Sequence, residues 1–196
     1  NKKTRVLRRK NYALLPDAEL IQLAKRNAAL FAHLYDRYFD LIFRFVFKKL
    51  NGDEANTSDI TQNTFIKALS NLHLYKEQGH PLSSWLYRIA INEVNLHYRS
   101  LKSQKVIEID VHAIQHLQNS ILEEFEGPTD NIPKLILVLN ELTDEQKELI
   151  ELRFFQELSF KEIAAIYGIT EPNAKMRIYR ILEKLNQAWS KSNENV

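Results

Sequence analysis

One stretch near the C-terminus of this 196-residue chain aligns polar side chains on a single helical face. One amide and three cations follow the spacing i, i+4, i+7 and i+11: Asn173, Arg177, Arg180 and Lys184. Amides and guanidinium groups can read base edges in a DNA major groove, whereas cations neutralise phosphates. Near the helix start we predict base contacts, from Glu171, Asn173, Ala174 and Arg177. Around and beyond them we predict phosphate contacts, from Lys175, Arg180 and Lys184. Thr170, at the start of the helix, completes the predicted DNA-binding set.

Clear boundary signals surround this stripe. Capping boxes begin at Thr143 and at Ser159; in each, an N-cap hydroxyl and the side chain three residues later satisfy free backbone amides. Gly168 stands where the second of these helices should end, and Thr170 caps the next one. Two helices joined by so short a turn, the second of them basic, predict a helix-turn-helix.

The last helix also has an apolar face, formed by Ala174, Ile178, Ile181, Leu182 and Leu185. We expect it to pack on earlier helices, against Leu149, Phe154, Ile163 and Ala164. With its opposite face basic, this helix is suited to the major groove. The alternative is the solvated face of a three-helix bundle, since basic amphipathic helices are common.

A second polar stripe repeats the same spacing in the first half of the chain: Arg88, Asn92, Asn95 and Arg99. The apolar face of that helix is predicted to contain Leu82, Trp85, Leu86, Ile89, Ala90 and Leu96. Tyr87 and Tyr98 flank the stripe as candidate exposed aromatics. Cations that follow a backbone and rings that stack on bases suit single-stranded nucleic acid, although an ordinary polar face has the same pattern.

The periodicity predicts an all-α chain with two helical domains. An aromatic-rich helix begins near residue 31 and ends at residues 51–53; two more follow, at about residues 57–72 and 82–100. Residues 106–133 are acidic and lack a sustained pattern. We therefore expect a helical domain over residues 1–105, an acidic linker over 106–135, and a helix-turn-helix domain over 136–196.

Charge and composition narrow the functional class. Residues 1–105 carry 18 basic and 9 acidic side chains, residues 106–133 carry 6 acidic and no basic ones, and the rest is nearly balanced. The basic parts suit polyanionic partners. No apolar run approaches the roughly 20 residues of a membrane span, and no cysteine is present. We expect a cytoplasmic protein without direct membrane insertion.

Catalysis has little support in the sequence. Glu108, His112 and His116 share a helical spacing that could hold a metal, but a solvated linker helix explains them better. No glycine-rich phosphate loop is present. We expect no enzyme activity, no metal and no cofactor.

Three motifs together resemble extracytoplasmic-function sigma factors of the sigma-70 family. They are LSFKEIAAIYGIT at 158–170, continued by NAKMRIYR at 173–180; DITQNTF at 59–65; and SWLYRIAIN at 84–92. They follow the order usual in that family and are separated by an acidic linker. The resemblance covers roughly residues 31–185.

The resemblance implies a protein that binds core RNA polymerase and directs it to promoters. Its first domain would dock on the clamp helices of the largest subunit through Asp59, Gln62 and Asn63. Residues 74–81, including His80, would capture a flipped minus-10 base, with Arg88, Asn92, Asn95 and Arg99 beside the opened strand. The helix-turn-helix would read minus-35 duplex near the polymerase flap. An anti-sigma factor is a further partner that the resemblance allows.

Some positions depart from the family pattern. Asn63 replaces an acidic residue, Leu96 stands where Asp is common, Ser100 replaces the second Arg of a pair, and Asn173-Ala174 replaces Thr-Val. Two other functions remain open at this point. One is a conventional helix-turn-helix regulator that acts without polymerase; the other is a protein-interaction module that sequesters polymerase or a regulator.

Overall fold

The computed structural model describes residues 12–77, 79–101, 117 and 139–191. Within these ranges the chain is all-α, as predicted, with α1 (Asp17–Arg26), α2 (Phe31–Lys49), α3 (Glu54–Asn71), α4 (Leu82–Leu101), α5 (Asp144–Ile150), α6 (Phe160–Tyr167) and α7 (Glu171–Lys191). Short 3-10 helices lie at Tyr12–Leu14, Ala28–Leu30 and Leu72–Leu74, and a π-helical turn spans Glu151–Phe155. Of the predicted linker, only Leu117 is among the described residues, and it is buried.

Helices α1 to α4 form an N-terminal bundle around α2. The apolar stripe of α2 is buried, and the helix contacts α1, α3 and α4. Phe45 meets Tyr87 of α4 edge-on, with 4.9 Å between ring centroids. The predicted aromatic helix is therefore confirmed. The side of α2 that faces away from the bundle is accessible to solvent, and Phe47 on that side is 36% exposed.

A tight turn separates α2 from α3. Asn51 and Gly52 both have positive φ, and the Gly52 N–H donates to the Phe47 carbonyl at 3.0 Å. Asp53 then caps α3, because its carboxylate accepts from the Asn56 N–H at 3.1 Å. Helix α3 consequently begins at Glu54, three residues before the predicted start.

Helix α1 is absent from the sequence-based predictions, and long-range hydrogen bonds hold it in place. Arg37 of α2 donates to the Asp17 carboxylate and to the carbonyls of Ala13 and Leu15, the latter two at 2.9 Å. The Tyr38 hydroxyl also donates to Asp17, and burial together with this bond raises the pKa of Tyr38 above its ordinary value. Local periodicity does not reveal such partners.

The C-terminal part has the predicted helix-turn-helix form. Both capping boxes are present: Gln146 N–H donates to Thr143 Oγ1 at 3.3 Å, and Glu162 N–H donates to Ser159 Oγ at 3.2 Å. Gly168 ends α6 in the left-handed conformation, with φ +66°. The predicted apolar face of α7 is buried against α5 and α6. The π-helical turn before α6 is a feature that the boundary signals did not indicate.

The two parts of the chain touch each other. Helix α6 packs on α4, and Lys49 at the end of α2 forms an ion pair with Glu151 in the π-helical turn. Both side chains are buried. Burial raises the pKa of Glu151, and Lys49 opposes that shift.

Replacing Gly168 tests the turn of the helix-turn-helix. No atom lies within 4 Å of a Cβ atom built there, so Gly168→Ala should cost only backbone strain, about 1 kcal/mol in the free energy of unfolding. Gly168→Asn should cost less, because Asn tolerates the left-handed conformation better. Urea unfolding monitored by circular dichroism measures both. Equal stability of the wild type and Gly168→Ala would contradict this account of the turn.

Candidate nucleic-acid interface

The polar face of α7 lies on the surface. Thr170, Glu171, Lys175, Arg180 and Lys184 are exposed, and Asn173 and Arg177 are half-buried. Ala174 departs from the prediction that it contacts bases. Its side chain is fully buried, because its position on the helix also belongs to the apolar face, and packing takes it away from the surface.

Arg177 is held by two neighbours. Its Nε donates to Asn173 Oδ1 at 3.1 Å, and its Nη1 pairs with Glu145 Oε1 of α5 at 2.8 Å. These bonds restrict the guanidinium before any ligand arrives and leave Nη2 as a further donor. Two other cations of this face also have contacts: Lys175 lies 5.4 Å from the Tyr179 ring centroid, and Lys184 donates weakly to the Glu141 carbonyl at 3.4 Å.

A pocket opens beside the N-terminal end of α4. Its volume is about 200 Å³, and its walls are Leu74, Tyr75, Lys76, His80, Trp85, Arg88 and Ala165. This is smaller than the 300 Å³ or more of a typical small-molecule site, so it suits a group the size of one base. The rings of Tyr75 and Trp85 lie 5.1 Å apart, and Lys25 donates to the Tyr75 carbonyl at 2.7 Å.

The structure brings two of the predicted minus-10 residues together in this pocket, His80 and Arg88. The His80 Nδ1 atom is buried and has no hydrogen-bond partner among the described residues. Asn92 and Arg99 are exposed farther along α4, and Asn95 is half-buried. Trp85 and Tyr75 are wall residues that the polar pattern alone did not indicate, since Trp85 was assigned only to the apolar face.

Two expectations about α4 were wrong. Tyr87 is not an exposed stacking ring, because it lies in the bundle core at 1% exposure, and burial raises its pKa to about 12. Leu96 is not on the packed face; it is 56% exposed, because the helix turns it toward solvent. Tyr98 is half-buried, and its hydroxyl donates to the Lys49 carbonyl at 2.6 Å.

A third surface follows α3. Asp59, Gln62 and Asn63 are exposed and share one helical face. Two apolar side chains continue that face at helical spacing, Ile66 at 61% and Leu69 at 40% exposure. Sequence reasoning missed them because an apolar residue in a helix is first assigned to the core.

The described residues contain no cluster of three metal-ligating side chains, and no described helix has the length and apolar character to cross a membrane. The candidate trio of Glu108, His112 and His116 lies outside the described residues.

Comparison with known proteins assigns both halves of the chain. Residues 34–104 match sigma-70 region 2, and residues 133–185 match sigma-70 region 4. The chain belongs to the sigma-70 family. Curated relatives place it with the extracytoplasmic-function group. The sigma factor BldN of Streptomyces coelicolor is 30% identical over 173 residues, which cover 85% of this chain and 63% of BldN.

Two further relatives come from Bacillus subtilis. The sigma factor YlaC is 29% identical over 163 residues, which cover 82% of this chain and 92% of YlaC. The extracytoplasmic-function sigma factor SigW is 29% identical over 174 residues, which cover 85% of this chain and 92% of SigW. The solved structure of CnrH in complex with the cytosolic domain of CnrY has a TM-score of 0.55 and 24% identity, covering 86% of this chain and 94% of that one. This likeness concerns the fold.

The burial of Tyr87 predicts a specific pH dependence. Because its pKa is raised from 10.0 to about 12, the stability that Tyr87 contributes is complete below pH 10 and is lost as pH rises toward 12. Between about pH 9 and pH 11.5, Tyr87 should lower the free energy of unfolding of the wild type by about 2 kcal/mol. The Tyr87→Phe variant should not show this loss. Chemical unfolding at the two pH values measures it. An unchanged pH dependence in Tyr87→Phe would show that the hydroxyl is solvated.

Proposed function

We propose that this chain is a sigma factor that binds core RNA polymerase and directs promoter-specific initiation of transcription. The observation that carries the proposal is the presence of two separate polar faces in one chain. One lies on the last helix of a helix-turn-helix, and the other lies beside a base-sized pocket on α4. A regulator that reads only duplex DNA has no use for the second.

The helix-turn-helix reads the minus-35 element as duplex in this proposal. Helix α7 enters the major groove at its N-terminal end, where the helix dipole favours phosphate and Asn173 and Arg177 reach base edges. Because Glu145 and Asn173 already hold Arg177, less side-chain entropy is lost on contact. Exposed Lys175, Arg180 and Lys184, with Thr170 and Glu171 at the helix start, complete the contact set.

The pocket on α4 receives a base from the opened minus-10 element. Flipping a base costs a few kcal/mol of unstacking, which aromatic walls and a cationic groove can offset. Trp85 and Tyr75 supply the rings, and His80 has a buried nitrogen available for a hydrogen bond. Arg88, Asn92, Asn95 and Arg99 then follow the strand along the helix.

Polymerase binding is assigned to the α3 surface. Asp59, Gln62 and Asn63 supply polar contacts with the clamp helices, and exposed Ile66 and Leu69 supply apolar area at the same face. Residues 1–105 act as the polymerase and minus-10 domain, residues 106–135 as linker, and residues 136–196 as the minus-35 domain beside the flap. The role is not enzymatic, and it belongs in the cytoplasm with polymerase and chromosome.

Reconstitution with core polymerase tests this function. The chain should co-purify with core polymerase and support transcription from a promoter found by sequencing transcripts after its overexpression. Asp59→Ala with Ile66→Ser should weaken co-purification, whereas Arg180→Ala, on a DNA face, should not. A chain that binds duplex sites yet never joins polymerase would establish the conventional regulator instead.

Two substitutions on α7 separate base reading from phosphate binding. Arg177→Ala should reduce discrimination between the minus-35 sequence and its variants by about 1–3 kcal/mol, because it removes a base contact. Lys184→Ala should lower affinity for all sequences and reduce the salt slope by about one. Titrations of labelled duplexes at several salt concentrations measure both quantities. Equal effects of the two substitutions on every sequence would contradict the assignment.

A further inference from the structure

The Arg177 side chain is fixed by contacts from two helices. Its Nε atom donates to Asn173 Oδ1 at 3.1 Å within α7, and its Nη1 atom pairs with Glu145 Oε1 of α5 at 2.8 Å. Two contacts at different edges of a planar guanidinium group fix both its position and the orientation of its plane. Glu145 therefore orients Arg177 although it lies outside the helix that is proposed to enter the groove.

The stability of the fold does not explain this ion pair. The side chain of Arg177 is 37% exposed and that of Glu145 is 61% exposed. An ion pair with this much solvent contact adds little to folding stability, because water screens it and two long side chains lose freedom. Beside a surface that is proposed to bind DNA, the carboxylate also repels phosphates. The orientation of Arg177 is a role that would offset this loss of affinity.

The two contacts also decide which hydrogen-bonding groups remain for a ligand. A guanidinium group has five N–H donors and no acceptor. Asn173 accepts from Nε and Glu145 accepts from Nη1, so the terminal nitrogens keep the three donors that remain of the five. Because Asn173 Oδ1 faces Arg177, its amide nitrogen is the group that can meet a ligand, and it too is a donor. The pair thus presents donors.

A surface of donors matches guanine best among the four bases. In the major groove guanine presents two acceptors, N7 and O6, whereas adenine presents an acceptor beside a donor. The adenine amino group would therefore face an N–H group of Arg177. Thymine offers one acceptor oxygen, and cytosine offers only a donor. The terminal edge of a guanidinium group can also form two parallel hydrogen bonds with the guanine acceptors.

We propose that Glu145 is a positioning residue for base recognition: with Asn173 it holds the terminal donors of Arg177 toward a guanine, and it lowers overall affinity for DNA while it raises discrimination. The inference rests on the proposed minus-35 contact of α7. It adds the base that Arg177 reads and a residue of α5 that controls the reading. It also gives Asn173 a donor role in place of the usual pairing of Asn with adenine.

Base analogues in duplex DNA test which base is read. The full-length chain, free and assembled with core polymerase, is used to select sequences from duplexes with a randomised central segment. The selected duplex should contain a guanine whose replacement by 7-deazaguanine, which lacks the N7 acceptor, lowers affinity at least about fivefold. Replacement by inosine, which keeps N7 and O6, should change affinity less than about twofold. Arg177→Ala should bind the guanine and 7-deazaguanine duplexes equally, because the contact is already lost.

Three further substitutions separate the position of the carboxylate from its charge. Glu145→Ala should raise affinity for a mixed-sequence duplex at least about twofold, which also shows that the variant is folded, and should reduce the 7-deazaguanine penalty to less than about twofold. Glu145→Gln loses the same charge but keeps an acceptor oxygen at the same reach, so its penalty should lie within about twofold of the wild-type value. Asp144→Asn, at the neighbouring exposed position of α5, is the charge control and should leave the penalty unchanged.

Three results would overturn the inference. They are an unchanged penalty in Glu145→Ala, the same loss of the penalty in Asp144→Asn, and the absence of a selected guanine that depends on Arg177 with either form of the chain. Selection by the free chain does not use polymerase. A chain that reads guanine through Glu145 and Arg177 but never joins polymerase would support the inference and refute the sigma function.

Discussion

The candidate functional surfaces of the N-terminal domain depend on one constraint, the packing of the apolar face of α4 against α2 and α3. Phe45 and Tyr87 meet edge-on in the core, and this contact, together with the packing of α4 on α3, sets the rotation of α4 about its own axis. With that rotation fixed, Arg88, Asn92 and Arg99 point outward. The same rotation turns Trp85 toward Tyr75 and forms the pocket. A polar stripe becomes a usable interface only because the opposite face is anchored.

In the C-terminal domain, local sequence signals set the orientation of the polar helix face. Two capping boxes and a left-handed glycine define where α5 begins and where α6 begins and ends, and the buried face of α7 then sets which side of that helix faces solvent. The polar face of α7, which we propose binds DNA, is thus determined within about 50 residues of chain. The domain needs no contact from the N-terminal part to present Arg177, because Glu145 and Asn173 hold that side chain locally.

Sequence reasoning succeeded where a feature is encoded by neighbours along the chain. The helix-turn-helix, its caps and the apolar face of α7 are of this kind. It failed where distant residues decide the outcome. Helix α1 depends on Arg37, and the pocket needs residues from a loop, α4 and α6 together. Tyr87 was expected to be exposed and is buried, whereas Leu96 was expected to be buried and is exposed. Periodicity shows that a helix has an apolar face, but only the packing of the partner helices decides which residues lie at the middle of that face.

The central proposal is that one chain reads two separate promoter elements, one with each of its two helical domains, although these domains touch each other in the structure. The chain contains no cysteine, so labels at Ser70→Cys in α3 and Glu183→Cys in α7, both exposed sites, can report their separation by double electron-electron resonance. We expect one short distance in the free chain and a longer one in the complex with core polymerase and promoter DNA. The same distance in the free and bound states would contradict the account.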